Sequence, residues 1–533
     1  MRPHLLLLSV FFLSSATAYK YVVFVPNMAN SQVQFCVRVA EVLANGGHDV
    51  TMLFMTHFAG YKTDVKIPKG VKTHYVDAIV DGITKAYVEK EQAKFIFKDT
   101  GLRDMPEMMR MFSTFGRVLQ EGCRLTLQNK EFLSWLENEK FDVAYAYIYS
   151  TCPIGLIHHA KIPSWVWLNS GPLMDYVAQT VGVPTIPSYV PPVMMESADE
   201  MGFYFRIKSF IGHCLTGLMH RKMSSDTETQ IFREEIDPNF PHTMDLGAKC
   251  PLIMVNTNEL YDLPRPNLAK VINIGGLGVG FDSAKPLTAE FKKISETGKG
   301  LIVFSFGSVA AAHEMPLEWK NSLLAAFAEL PDYQFVMRYV ADDLNDRLPA
   351  NVHLFKWLPQ KDLLLQNSTK AFITHGGYNS LQEAISAGVP LVTIALFGDQ
   401  PKNAKIAKKH GFAVNIAKST ISKETIVEAL REIIDNQSYK SKAQRLSAMV
   451  RAQPTKPADR LLKWSEFLAE FKQFENLEPA GQKLNFFQLH SLDVVFFLIS
   501  VFFVVLYISY RILKAVVRRC CCGRKGEKKQ KNE

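Results

Sequence analysis

Between Trp357 and Gln400 the chain concentrates residues suited to each part of a phosphorylated, sugar-bearing ligand: WLPQKDLLLQNSTKAFITHGGYNSLQEAISAGVPLVTIALFGDQ. Gly376-Gly377 follows the buried-strand pattern Ala371–Thr374, and glycine lets a backbone approach an anion closely because no Cβ intervenes. Asn379-Ser380 precedes Leu381–Ala387, which reads as a helix with a capping residue in front of it. A helix N-terminus carries partial positive charge and free N–H groups, so it seats a pyrophosphate. His375, at the strand end, can donate to a phosphate oxygen. Glu383, one turn into the helix, can accept from ribose hydroxyls. Trp357 offers a flat face for a base, and Gln360 an amide that both donates and accepts. Asp399 and Gln400 end the next strand, where α/β ligands bind, and suit sugar hydroxyls. Taken together, these residues describe a nucleotide-sugar site.

The elements around the segment are those of an α/β protein. KYVVFVP (Lys20–Pro26) is a buried parallel-strand pattern. A helix is expected over Ser31–Ala44, stopped by Gly46-Gly47, with a second strand at Asp49–Phe54. This β-α-β opening lacks a Gly-x-Gly-x-x-Gly loop, so no dinucleotide fingerprint accompanies it. With 533 residues and 47% hydrophobic composition, the chain is too long for one typical domain and unlike a disordered one.

The ordered combination from Trp357 to Gln400 resembles the donor-binding signature of the UDP-glycosyltransferase family, which includes the animal UDP-glucuronosyltransferases. Other segments are similar to the same family: CPLIMVNTNELYDLPRP and VINIGGLG in its interdomain region, GLIVFSFGS (Gly300–Ser308) in the first strand of its donor domain, and SGPLMDYVAQTVGVPTIPSYVP in its acceptor domain. The resemblance covers nearly the whole chain. It implies two facing Rossmann-like domains of the GT-B type, an N-terminal acceptor-binding domain at 19–275 and a UDP-sugar-binding domain at 276–480. It also implies that Ser308 faces the diphosphate, that UDP-sugar is a co-substrate, and that inversion at the anomeric carbon needs no metal or cofactor. No Asp-x-Asp motif and no zinc-type His/Cys spacing occurs in the sequence.

The same resemblance places a catalytic histidine at the start of the first helix and an acidic residue at the end of a later strand. These positions fall on Gln32 and on Tyr147 in FDVAYAYIYSTC. Glutamine does not titrate, and tyrosine ordinarily titrates near about 10. Three outcomes stay open. The acceptors need little base assistance (amines, thiols, acidic phenols); another group, such as His158 or His159, serves; or the chain binds ligands or pairs with active relatives without catalysis. General-base help is typically worth about 10² to 10⁴ in rate, so its loss need not end transfer to small lipophilic acceptors.

Targeting signals frame the chain. MRPHLLLLSVFFLSSATA reads as a signal peptide over 1–18 with an Ala-x-Ala cleavage site. The apolar run at 492–513 is long enough to span a bilayer, and Arg511, Lys514, Arg518 and Arg519 point to a cytoplasmic tail at 514–533. Nine Lys/Arg and two Glu from Arg511 to Glu533 carry most of the +9 formal charge. The basicity therefore suits a membrane face rather than nucleic acid. Lys529 and Lys531 resemble a dilysine retrieval signal, so the expectation is a single-pass endoplasmic-reticulum protein with its catalytic part lumenal. Self-association, or association with related enzymes, is compatible with that anchoring. Met201–Lys222 reads equally as a membrane-touching amphipathic segment or a core-facing helix. Cys36, Cys123, Cys152, Cys214 and Cys250 look like core residues rather than a disulfide framework, though one pair fits an oxidising lumen. Cys520, Cys521 and Cys522 are available for S-palmitoylation.

Overall fold

The computed structural model describes residues 18–28, 30–59, 63, 65–98, 104–278, 285–307 and 310–522. Residues 1–17 of the expected signal peptide, Ser308, and the Lys529/Lys531 signal lie outside the described residues. Residues Met1–Leu477 and Glu478–Glu533 form two separate units.

The first unit holds two parallel sheets. One contains seven strands: β1 (Lys20–Pro26), β2 (Asp49–Thr56), β3 (Lys72–Asp77), β4 (Val143–Tyr147), β5 (Ser164–Asn169), β6 (Leu252–Val255) and β7 (Val271–Asn273). Their spatial order is β3-β2-β1-β4-β5-β6-β7. The other contains β8 (Gly300–Ser305), β9 (Tyr333–Arg338), β10 (Val352–Phe355), β11 (Thr369–Thr374), β12 (Leu391–Thr393) and β13 (Ala413–Asn415). Their order is β10-β9-β8-β11-β12-β13. Helices cover both faces of each sheet, which is why the strands read as near-continuous apolar runs. Alternation sends Val22 and Phe24 of β1 into one core, and Tyr21, Val23 and Val25 into another. The first strand matches its expected bounds, and the first helix, Asn30–Asn45, extends the expected one by a residue at each end.

Two segments cross between the sheets. Ile96 and Phe97, at the end of the Lys85–Ile96 helix, join the core of the second sheet, where Phe97 meets Trp319 edge-on at 5.8 Å. Lys418 from the second sheet's side holds that helix end through the Ile96 and Lys98 carbonyls at 3.2 and 2.8 Å. In the opposite direction, the Pro457–Phe471 helix returns to the first sheet. Its Leu461, Leu468 and Ala469 pack with Tyr21 and Val23, and Ser465 hydrogen-bonds the Tyr145 hydroxyl. The first sheet's layer is thus built from both ends of the sequence, including residues within the 276–480 span.

Cys123 and Cys152 form a disulfide with Cα atoms 5.9 Å apart. This is the one pair that the sequence reading left open beside its expectation of core cysteines: Cys123 lies on the Met105–Gln128 helix and Cys152 opens the Cys152–His159 helix, two elements brought together only by the fold. The Phe203–His220 helix is not core-facing. It buries Ser209 and His213 and exposes Phe203, Tyr204, Phe210, Ile211 and Leu218.

In the second unit, the Leu492–Cys522 helix is 31 residues long, beyond the expected 492–513. It is long and apolar enough to cross a membrane.

Candidate functional site

The ends of β8, β9 and β11 converge on one point. After Thr374 the chain turns through His375 and Gly376, whose φ of 80° is readily adopted only by glycine. Gly377 then occupies the N-cap of the Tyr378–Ala387 helix, with no side-chain capping bond. The expected cap from Asn379-Ser380 is corrected by this geometry: both lie inside the first turn, and Gly377 already stands where a capping side chain would. The first-turn N–H groups are consequently open to an anionic ligand. Asn379 Oδ1 instead accepts from Asn256 Nδ2 at 3.5 Å, and Ser380 Oγ from Gln360 Nε2 at 3.4 Å.

His375 is buried between two glycines. A Cβ on Gly307 or Gly377 would stand 2.9 or 2.7 Å from the ring. Burial, aided by the Arg338 charge, pushes its pKa down to about 4, so the ring is neutral near pH 7 and offers a single N–H. Gly377→Ala is expected to weaken UDP binding by about 10-fold, a loss of about 1.4 kcal/mol, because the ring must move aside. Calorimetric titration with UDP checks this, and native affinity in the variant would show that the ring position is not critical.

Trp357 is 68% exposed, leaving a ring face free, and Arg338 lies 5.5 Å from its centroid. Arg338 also donates to the Gly307 carbonyl, so it fixes the β8 turn next to Ser308. Glu383 Oε2 accepts from Gln360 Nε2 at 2.7 Å. Burial raises the Glu383 pKa, opposed by the Gln360 bond and by the Arg38 charge from the first helix. Asp399 accepts from Asn403 Nδ2 at 2.9 Å, and the same nitrogen donates to the Gly376 carbonyl at 3.0 Å. Gln400 Oε1 accepts from the Leu396 and Phe397 amides, both at 3.0 Å. That oxygen serves the loop, which leaves the Gln400 amide nitrogen for a ligand. Trp357, Gln360, His375, Gly376, Gly377, Asn379, Glu383, Asp399 and Gln400 therefore surround one helix N-terminus and the adjoining strand ends.

The first sheet closes on this site through Ser170-Gly171. The Ser170 carbonyl accepts from Asn256 Nδ2 at 3.0 Å, and a Cβ on Gly171 would lie 3.8 Å from Asp399 Oδ2. Gln32 occupies the first turn of its helix, as expected. Its amide lies near enough to Tyr149 to lower that phenol's pKa, and the Tyr149 hydroxyl pairs with Ser170 Oγ at 2.9 Å. Tyr147, the last residue of β4, is buried and directs its hydroxyl to Met55 Sδ at 3.7 Å. The structure thus brings together Gln32 and Tyr149 rather than Gln32 and Tyr147, because the chain turns after β4 and carries the second tyrosine into the cleft. Burial raises Tyr149 to about 12, and the Asp399 charge adds to the shift. His158 packs against the Phe240 ring and His159 pairs with Glu137 at 3.3 Å, so neither joins this cluster.

A cavity of about 1180 Å³ opens beside Tyr149. Phe112, Phe115, Tyr149, Met194, Leu396 and Phe397 give it a largely apolar wall. Arg338, Arg38, Asn403 and Tyr149 were absent from the sequence reading. Arg338 carried one usable signal, its position as the last residue of a parallel strand.

The family described as "UDP-glucoronosyl and UDP-glucosyl transferase" matches residues 21–529. UDP-glucuronosyltransferase 2B7 of Homo sapiens is 31% identical over 491 residues, covering 91% of this chain and 89% of its own. UDP-glucuronosyltransferase 2B18 of Macaca fascicularis is 31% identical over 504 residues, covering 92% of each. The glycosyltransferase SnogD from Streptomyces nogalater superposes with a TM-score of 0.54 at 17% identity, over 85% of this chain and all of its own. The kitacinnamycin glycotransferase gives 0.57 at 16%, over 86% of this chain and all of its own. These two share the fold, two parallel-sheet domains of GT-B type. With its family match, its relatives and its fold in agreement, the chain belongs to the UDP-glycosyltransferase family and is an enzyme of that type.

Proposed function

We propose that the protein transfers glucuronic acid or a hexose from a UDP-sugar to small lipophilic acceptors, without metal or cofactor. The observation that carries this reading is the shell of nine donor-site residues around the open N-terminus of the Tyr378–Ala387 helix, facing Ser170 and Tyr149 across the cleft. Trp357 stacks on uracil, Gln360 and Glu383 take the base edge and ribose, His375 and the helix N–H groups take the diphosphate, and Asp399 and Gln400 take the sugar. Ser308 adds a donor to the diphosphate. Residues 19–275 supply the acceptor side and 276–480 the donor side. The apolar wall of the neighbouring cavity favours lipophilic acceptors.

In this reading the Leu492–Cys522 helix anchors the enzyme in the endoplasmic-reticulum membrane, with its catalytic unit lumenal and a basic cytoplasmic tail. The Cys123–Cys152 disulfide suits an oxidising compartment. The exposed apolar face of the Phe203–His220 helix suits an interfacial seat. Membranes carrying the recombinant protein, incubated with UDP-glucuronic acid or UDP-glucose and hydroxyl, amine and thiol acceptors, are expected to form glycosides. Binding of UDP-sugar with no acceptor turned over would reject transfer and favour a ligand-binding member.

A further inference from the structure

The membrane-spanning helix does not stop where its apolar run stops. It continues without a break from Leu492 to Cys522, and Cys520 and Cys521 lie exposed on it. At about 1.5 Å per residue, a hydrocarbon layer of about 30 Å takes up about 20 residues. Counted from Leu492, the layer is filled near Arg511. Two contacts mark the same level. Arg511 Nη1 donates to the Tyr507 hydroxyl at 2.6 Å, and the Lys514 ammonium lies 5.7 Å from the Tyr510 ring centroid. Tyrosine and basic residues gather at the membrane–water boundary. The last turns of the helix, from Leu513 onward, therefore emerge from the hydrocarbon.

These emerging turns have two unlike sides. Leu513, Val516, Val517, Cys520 and Cys521 follow the spacing i, i+3, i+4, i+7, i+8, which is one face of a helix. Arg511, Lys514, Arg518 and Arg519 occupy the remaining arc. Leu513, Val516 and Val517 are each more than half exposed. The two thiols thus prolong an apolar stripe out of the hydrocarbon, while the cations on the other side reach lipid phosphates. A thiol is a small hydrophobe and adds little to such a stripe. A fatty chain attached to it gains with each methylene that sinks back into the bilayer. Such a chain runs along Leu513, Val516 and Val517 and covers them.

Resting on the cytoplasmic tail of the proposed function, we propose that Cys520 and Cys521 are S-acylation sites, whose fatty chains seat the end of this helix against the cytoplasmic leaflet. The substrate class is a long-chain acyl-coenzyme A, presented by a membrane acyltransferase. The cysteine sulfur forms a bond to the thioester carbonyl carbon. The bond from that carbon to the coenzyme A sulfur breaks, and its electron pair leaves with coenzyme A, which takes up the proton of the cysteine thiol. Nothing is oxidised or reduced, in keeping with a compartment where thiols stay free of disulfides.

The other free cysteines lack this setting. Cys36 and Cys250 are buried, and Cys214 lies on the Phe203–His220 helix of the catalytic unit, away from cytoplasmic acyl donors in the same reading. Position 522 is i+4 from Arg518 and i+3 from Arg519, on the basic side of its helix.

The test expresses the full chain in eukaryotic cells and reads acylation by thioester exchange. In denatured membranes all free thiols are blocked, neutral hydroxylamine cleaves thioesters, and each thiol so released takes a maleimide polymer that slows migration. Native protein is expected to show a hydroxylamine-dependent ladder of one and two tags. Cys520→Ser and Cys521→Ser each lose the upper step, the double variant loses both, and Cys522→Ser keeps them. Val516→Asp combined with Val517→Asp is expected to lose most of the tag, because it breaks the stripe and leaves both thiols in the chain. Protease added outside sealed membranes, with a C-terminal epitope as readout, fixes the side on which the tail lies. A tail cut from outside but carrying no tag, a tag that survives the double serine variant or resides at position 522, or full tagging of the aspartate pair overturns the proposal and leaves the transferase reading intact. A tail protected inside the membranes overturns the cytoplasmic orientation together with the proposal.

Discussion

Replacing Glu383 by alanine is expected to weaken UDP-sugar binding by about 100-fold, the largest single loss at the donor site. The carboxylate is positioned by Gln360 Nε2 at 2.7 Å and is assigned to the ribose hydroxyls. Two hydrogen bonds to a charged group, at about 1.5 kcal/mol each, give about 3 kcal/mol, or roughly two decades in affinity. The substitution has a second effect. Arg38 is largely withdrawn from water, its pKa lowered by burial and supported by the charges of Glu383 and Glu41. Removing one of those charges leaves the guanidinium less well compensated. Glu383→Ala is therefore expected to lower thermal stability as well, whereas Glu383→Gln, which keeps the shape, loses UDP affinity with a smaller stability change. Calorimetric titration and a melting curve separate the two effects. Native UDP affinity in Glu383→Ala would remove Glu383 from the donor site.

Breaking the Cys123–Cys152 bond with Cys123→Ser is expected to cost about 3–4 kcal/mol. The loop between the two cysteines spans 29 positions, and chain-entropy estimates for a closed loop of roughly that length give this figure. At about 2–4 °C per kcal/mol, the melting point of the catalytic unit falls by roughly 6–15 °C. The effect reaches the cleft because Cys152 follows the Tyr149–Thr151 turn. That turn is itself held by the buried Glu228 carboxylate, which accepts from Ser150 Oγ at 2.8 Å and from the Thr151 amide at 2.6 Å. Acceptor KM is expected to rise while UDP affinity is retained. Non-reducing peptide mapping combined with melting curves checks this. Equal melting points for native protein and Cys123→Ser would mean the bond contributes nothing.

The strand, glycine turn and helix of the proposed donor side were legible because their residues are close in sequence and punctuated by glycines. A strand, two glycines and a helix announce themselves through pattern and composition. The first strand and helix were legible for the same reason. The acceptor half depends on where a strand ends. Tyr147 and Tyr149 are indistinguishable in FDVAYAYIYSTC, and only the turn after β4 decides which faces Gln32. Pairing of Cys123 with Cys152 depends on two helices meeting, which no local pattern encodes. Arg38 acts across the gap between two sheets and looks, in sequence, like any charge on a helix. The absence of a side-chain cap at Gly377 was hidden because Asn379-Ser380 is itself a good capping pair.

The return of the Pro457–Phe471 helix to the first sheet has a consequence for the order of events during synthesis. Domains are generally made and folded from the N-terminus onward. The first sheet has all its strands once β7 is complete at Asn273, but the face holding Tyr21 and Val23 lacks Leu461 and Leu468 until the helix is translated. At about 5–20 residues per second, the intervening stretch of roughly 180 residues takes about 10–40 s. For that interval the nascent chain carries an apolar sheet face covered only in part, by the Asn30–Asn45 helix, and otherwise open to chaperones and to wrong partners alike. Protein that terminates before Pro457 never leaves that state, so its yield depends on rescue rather than on the stability of what it has already made.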